Sequence, residues 1–215
     1  MRAGAMLDVV LAAALFLTAP AVHAEATPPE AAQICFAAPP AQTHDGFYAR
    51  IHAGAGYLAA HNGPLEVTGA QVALGVAVGA VVLPNLALFA DLVFHVAIDP
   101  TIRNNGMTMA VSGSSFENDS FGAGATYYLE PLNLYGSASI NGSSVQLYNR
   151  YDSQLAGSRT GLGFQVMVGK EWWAGREWGL GVAGELSAAW MTDDAAAGLR
   201  WRALTYSLVF SATYN

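Results

Sequence analysis

From Gly46 to the end of the chain, apolar residues alternate with small or polar ones at a period of two. Phe47, Ala49, Ile51, Ala53, Ala55 and Tyr57 share one parity, and Tyr48, Arg50, His52, Gly54 and Gly56 the other. The same alternation runs through 70–80, 86–96, 121–129, 134–141, 161–169, 178–190 and 204–214. Alternation over about ten residues is the mark of a strand with two chemically different faces. The pattern therefore predicts eight strands. Their connections predict the topology. Leu83-Pro84-Asn85, Glu130-Pro131 and Ala174-Gly175-Arg176 read as tight turns, whereas 59–68, 98–119, 145–159 and 191–200 read as longer loops. Short and long connections in strict alternation describe an up-and-down meander with its turns at one end and its loops at the other.

The two faces ask for different surroundings. Phe47, Tyr57, Trp172, Trp178, Trp190, Tyr206 and Tyr214 stand near strand ends on the apolar parity, where two interfacial girdles of a membrane barrel would lie. In a soluble sandwich, large aromatics would concentrate mid-core instead. The opposite parity carries many strand glycines, together with Arg50, His52, Gln71, Asp91, His95, Gln165 and Glu185. Small residues beside bulky polar ones suit the narrow interior of an eight-stranded barrel. Enclosed charges must be paired or wet, so a lumen network is expected in which Arg50 meets Asp91 or Glu185.

Composition narrows the setting. Of 215 residues, 53% are hydrophobic and 12% charged, with a net charge of −7. Soluble domains carry about a quarter charged residues, and disorder needs low hydrophobicity. Beyond the N-terminus no apolar run approaches the roughly 20 residues of a spanning helix. Nine basic residues against sixteen acidic ones leave no cationic footprint for nucleic acid. Arg2, the apolar stretch from Val9 to Thr18, and Val22 and Ala24 before Glu25 read as a cleaved secretory leader over 1–24. Residues 25–45, with Pro28, Pro29, Pro39 and Pro40 among alanines, read as a flexible lead-in, and 46–215 as the barrel. Cys35 is the sole cysteine, so no internal disulfide forms. Ile34 before it argues against a lipid anchor.

The leader, the eight alternating strands, the uneven connections and the aromatic-rich final strand Leu204-Thr205-Tyr206-Ser207-Leu208-Val209-Phe210-Ser211-Ala212-Thr213-Tyr214 resemble the small outer-membrane β-barrels of the OmpA-domain and OmpX type. The resemblance implies an all-β, eight-stranded antiparallel transmembrane barrel in the outer membrane of a Gram-negative cell. It implies outer-membrane lipid, lipopolysaccharide and the barrel-assembly machinery as partners. Members usually end in an aromatic; here Tyr214 is followed by Asn215. No peptidoglycan-binding domain is expected after residue 215.

Candidate chemistry is sparse. His52 and His95 with Asp91 suggest a metal or acid–base site, but no ligand spacing of the usual kinds accompanies them, and two satisfied lumen histidines are the expectation. Gly161-x-Gly163 and Gly179-x-Gly181 precede no helix, which excludes a dinucleotide loop. Relatives that modify lipid A use His and Ser near the outer rim, which makes His61 and Ser112 to Ser115 the residues to examine. Asp193 and Asp194 read as solvated, with cation bridging to lipopolysaccharide as the sharper alternative. Tyr148, Arg150, Tyr151 and Arg159 are expected loop contacts for an extracellular ligand. The reading is a monomeric structural or surface-interaction barrel, non-enzymatic and without cofactor or metal. The alternatives are a narrow passive channel, a lipid A-modifying enzyme and a soluble lipid-binding barrel.

Overall fold

The computed structural model describes His44 and residues 46–109, 112–196 and 198–214. The leader, Cys35 and residues 25–43 and 45 of the expected lead-in lie outside the described residues. Among the described residues every regular element is a strand: β1 (Phe47–Asn62), β2 (Leu65–Leu83), β3 (Leu86–Ile98), β4 (Thr101–Asn104), β5 (Met107–Met109), β6 (Ser115–Leu129), β7 (Leu134–Tyr148), β8 (Gln154–Gly157), β9 (Gly161–Trp173), β10 (Trp178–Thr192) and β11 (Arg200–Tyr214). β4, β5 and β8 are short additions. The other eight pair antiparallel in chain order, and β1 pairs with both β2 and β11, which closes the barrel. Closure leaves those eight strands with no free edge, satisfying every ladder within the ring.

The turns at one end are tight. Asn85 (φ 64°) and Asn133 (φ 50°) occupy the left-handed region there, a conformation Asn tolerates better than other side chains with a Cβ. At the other end the structure corrects the expected loop lengths. The apolar alternation stops near Tyr57 and resumes near Ala70, but β1 continues to Asn62 and β2 begins at Leu65, joined through Gly63 (φ 58°) and Pro64. The segment 98–119 contains the β4–β5 hairpin and the start of β6; 145–159 contains the end of β7 and β8; 191–200 loses both its ends to strands. The cause is chemical. Backbone pairing continues beyond the apolar band, while the outward residues turn polar: His61, Glu66, Thr68, Glu117, Asp119, Ser144, Gln146, Arg200 and Arg202. A pattern of apolar alternation cannot register strands whose outer face meets water.

Below that boundary the outer face is continuously greasy. Ile51, Val72, Val76, Leu88, Leu92, Phe121, Ile140, Val166, Leu180, Leu208 and Phe210 are all exposed, far beyond the few hundred Å² of apolar patch a soluble monomer shows. From the level of Phe47 to that of Tyr57 the strand advances about ten residues at roughly 3.3 Å each. At a tilt of about 45° this spans about 23 Å, close to the apolar band of roughly 25 Å in membrane barrels.

The inward face is layered. A buried apolar group toward the tight-turn end includes Tyr48, Phe89, Tyr128, Tyr135, Met167 and Val209. Another toward the loop end includes Leu58, Val67, Ile102, Phe116, Val145, Leu147, Met191 and Trp201. The polar residues lie among and between them.

Candidate functional site

The lumen concentrates the chain's enclosed chemistry. Arg50, His52, Gln71, Asp91, His95, Gln165 and Glu185 are all buried there, on the parity read from the sequence. Their pairing differs from the expectation in one respect. Arg50 meets neither Asp91 nor Glu185. Its Nη2 lies 3.2 Å from Glu171 Oε1, with both side chains almost fully enclosed. Glu171 lies past position 169, where the sequence alternation ends, yet it keeps the inward parity of β9. Extending that count by one step would have found it.

The Arg50 guanidinium is surrounded. Nε donates to Thr213 Oγ1 at 3.1 Å, and Nη2 donates to the Tyr128 hydroxyl at 2.8 Å. Thr213 Oγ1 in turn donates to Glu171 Oε1 at 2.6 Å. The Tyr135 ring centroid lies 4.1 Å from Cζ and that of Tyr48 5.5 Å, a cation–π arrangement in a desolvated site. Tyr48, Tyr128 and Tyr135 were visible in the sequence only as inward-parity aromatics, and nothing there joined them to Arg50.

Toward the middle of the barrel, Glu185 bridges two histidines. His95 Nε2 is 2.7 Å from Oε1 and His52 Nε2 is 3.2 Å from Oε2. Gln165 Nε2 donates to Oε2 at 3.0 Å, and Ser207 Oγ, 3.4 Å from Oε1, accepts from Gln71 Nε2 at 2.8 Å. Asp91 stands apart from this group and accepts from Asn141 Nδ2 at 3.1 Å. Among the described residues no group of three or more His, Cys, Asp or Glu converges on a metal-sized point.

Gly75 makes the His52–Glu185 contact possible. It faces His52 across the β1–β2 ladder, and a Cβ there would fall on the imidazole ring. Gly75→Ala should push His52 away from Glu185 and cost about 1–3 kcal/mol, the range for leaving a buried polar group unpaired. Urea unfolding of the vesicle-inserted barrel measures this. The cost should disappear when the substitution is made in a His52→Ala background.

Aromatic side chains pack into the interior at both ends. At the tight-turn end His44 is buried, stacked on Tyr128 with ring centroids 3.5 Å apart, and its Nε2 lies 2.7 Å from Asn133 Oδ1. This residue was expected to be part of a flexible lead-in; it packs into the barrel mouth instead. At the loop end Trp201 is fully enclosed and 5.8 Å from Phe116, centroid to centroid. Its indole N–H is shared between Gly157 O at 3.1 Å and Asp193 Oδ2 at 3.0 Å. The space between Arg50, His52, Asp91, Ser139 and Gln165 is about 20 Å³, room for a single water.

Asp193 corrects the expectation of a solvated residue. It is buried, accepts from Asn62 Nδ2 at 2.5 Å, and its Oδ1 caps the backbone N–H groups of Ala195 and Ala196. Burial alone would raise its pKa, but those two N–H donors, Asn62 and Trp201 together outweigh it and hold the carboxyl below its ordinary value. The lowered value means that the carboxylate's contribution to stability is complete above the unfolded-chain value of about 3.9. It is lost as pH falls from there through the folded value. The Trp201 indole N–H resonance should move in that window, and in Asp193→Asn it should not.

The girdle residues face outward: Phe47, Tyr57, Trp172, Trp190 and Tyr206 are exposed, and Trp178 and Tyr214 half-buried against each other at 5.4 Å. Phe47, Trp172, Trp178 and Tyr214 lie at the turn end; Tyr57 stacks beside Tyr206 at 5.9 Å toward the loops. Of the expected loop contacts, Tyr148 is half-buried at the end of β7 and its hydroxyl donates to Gln146. Arg150 and Tyr151 are exposed and stack on each other, the guanidinium 4.6 Å from the ring centroid; Arg159 is exposed beyond β8. His61 and the Ser112–Ser115 segment are not brought together. His61 lies between β2 and β11, whereas Ser115 opens β6, with β2 and β3 between the two strands.

No family profile matches the chain, and no curated protein sequence matches it. Among solved structures it is similar to Neisserial surface protein A, with a TM-score of 0.49 and 15% identity over 75% of this chain and 95% of that one. It is also similar to the outer membrane protein OprG from Pseudomonas aeruginosa (0.46, 9%, 81% and 99%) and to the outer membrane protease OmpT from Escherichia coli (0.43, 9%, 80% and 97%). At such identities the likeness concerns barrel architecture and extends to no activity.

Proposed function

We propose that this chain is an integral outer-membrane barrel that acts as a structural or surface-interaction protein, with a lumen sealed by its own side chains. The observation that carries the reading is the packing of side chains across the interior at two levels, beside a water-sized space. The Arg50–Glu171 pair with its tyrosines sits at the turn end, and the Trp201 cluster at the loop end. The exposed apolar band holds the barrel in lipid, and the polar strand ends and short hairpins beyond it present Arg150, Tyr151 and Arg159 to the outside. Such a barrel exerts its effect through surface contact and performs no bond chemistry.

Two measurements test this. The outer-membrane fraction should contain a species whose gel mobility shifts on boiling; recovery in the soluble periplasm with unchanged mobility overturns the membrane assignment. In planar bilayers the purified barrel should show no steady conductance. Sustained ion current would favour the narrow-channel reading, with the His52–Glu185–His95 layer as its constriction.

A further inference from the structure

The rim above the apolar band is electrically lopsided. Across five adjacent strands one outward row runs Trp190, Arg202, His61, Glu66 and Arg103, each directly paired with the next in the ladders. Arg200 lies one step further out on β11, opposite Thr192. The three arginines and His61 are exposed. No salt bridge among the described residues engages the arginines. On the other side of the barrel the corresponding outward positions of β6 are Glu117 and Asp119. Directly below the cationic row lie Leu204, then the stacked pair Tyr57 and Tyr206, then Leu208, all on the lipid-facing parity. One vertical strip therefore offers, from outside inward, guanidinium groups, an interfacial tryptophan and an apolar track.

Resting on the outer-membrane reading above, we propose that this strip docks the phosphorylated headgroup of an outer-leaflet glycolipid of the lipid A type. Arg200, Arg202 and Arg103 hold phosphate oxygens through charge-assisted hydrogen bonds, and an acyl chain lies along Leu204, Tyr206 and Leu208. Charge complementarity selects this occupant. A zwitterionic lipid gains little from three arginines, and a free phosphate makes no use of the apolar track beneath them. The acidic side over β6 repels the same headgroup, so binding is confined to one side of the barrel.

The test titrates the detergent-solubilised barrel with diphosphoryl lipid A, with lipid A stripped of its phosphates, and with inorganic phosphate, counting bound molecules by native mass spectrometry. Arg200→Gln with Arg202→Gln should weaken diphosphoryl lipid A binding about thirty-fold, the effect of removing two cations near an anionic surface. Arg150→Gln, at the same end but off the strip beyond β7 and against Gly113, should leave it unchanged. The dephosphorylated lipid should bind the wild type as weakly as the diphosphoryl lipid binds the double variant. Unchanged affinity in the strip variant, an equal loss in the Arg150→Gln control, equal binding of the dephosphorylated lipid, or inorganic phosphate binding as well as lipid A would each overturn the proposal. Boiling-dependent gel mobility of the same samples separates the two levels. A barrel that shifts yet shows no phosphate selectivity removes the docking strip alone, whereas one that does not shift removes the membrane reading beneath it.

Discussion

Arg50→Leu should destabilise the barrel by about 3–5 kcal/mol, the cost of leaving a buried charge without its partner. The loss is concentrated on Glu171, whose Oε1 keeps only the Thr213 hydroxyl, while Oε2 already has no hydrogen-bond partner. Tyr128 loses its donor, and Tyr135 loses the cation against its ring. Equilibrium urea unfolding in lipid vesicles, followed by the gel mobility of the folded form, measures the effect. Arg50→Leu combined with Glu171→Leu should recover most of it, because removing both members of an enclosed ion pair is often neutral. If the single variant proved as stable as wild type, Glu171 would have to be neutral or hydrated in the folded barrel.

Trp201→Ala should be comparably severe, about 3–5 kcal/mol for a fully buried tryptophan. The side chain fills the loop-end interior beside Phe116, Leu58 and Met191, and it ties three segments together: β11 itself, Gly157 at the end of β8, and Asp193 after β10. Trp201→Phe separates packing from hydrogen bonding. It keeps most of the apolar volume and should lose only about 0.5–1.5 kcal/mol, the net worth of one hydrogen bond, because Asp193 Oδ2 keeps the Asn62 amide and the Gly157 carbonyl keeps the Asp194 N–H. Unfolding in vesicles distinguishes the two variants. Planar-bilayer recording adds a second readout: with the Arg50–Glu171 layer still in place at the turn end, Trp201→Ala should pass no steady current, and current through this variant would place the whole seal at Trp201.

The two predictions draw on residues of unequal visibility in the sequence. Arg50 was conspicuous as a cation on an inward parity, so a buried partner had to exist. Glu171 stands at a position where the alternation is interrupted by Lys170, which faces outward and donates to the Leu132 carbonyl at 2.6 Å. Trp201 stands between the loop expected over 191–200 and the alternation that begins at Leu204, because Arg200 and Arg202 on either side of it break the apolar pattern. They break it because their side of the strand faces the rim, not because the strand has ended.

What the sequence by itself determined is the parity of each strand. A period of two permits only two faces, and a one-residue slip would move every apolar side chain of a strand into the lumen and every charge into lipid. Strand number, antiparallel order and the identity of the enclosed polar residues all follow from that constraint. Which enclosed residues meet is a different matter. It depends on the stagger with which β1 closes on β11 and on which glycines leave space for a neighbour's ring, as Gly75 does for His52. Those are relations between strands far apart in the chain, such as Arg50 and Glu171, His95 and Glu185, or Trp201 and Gly157. Local alternation carries no information about them, and only the closed barrel decided them.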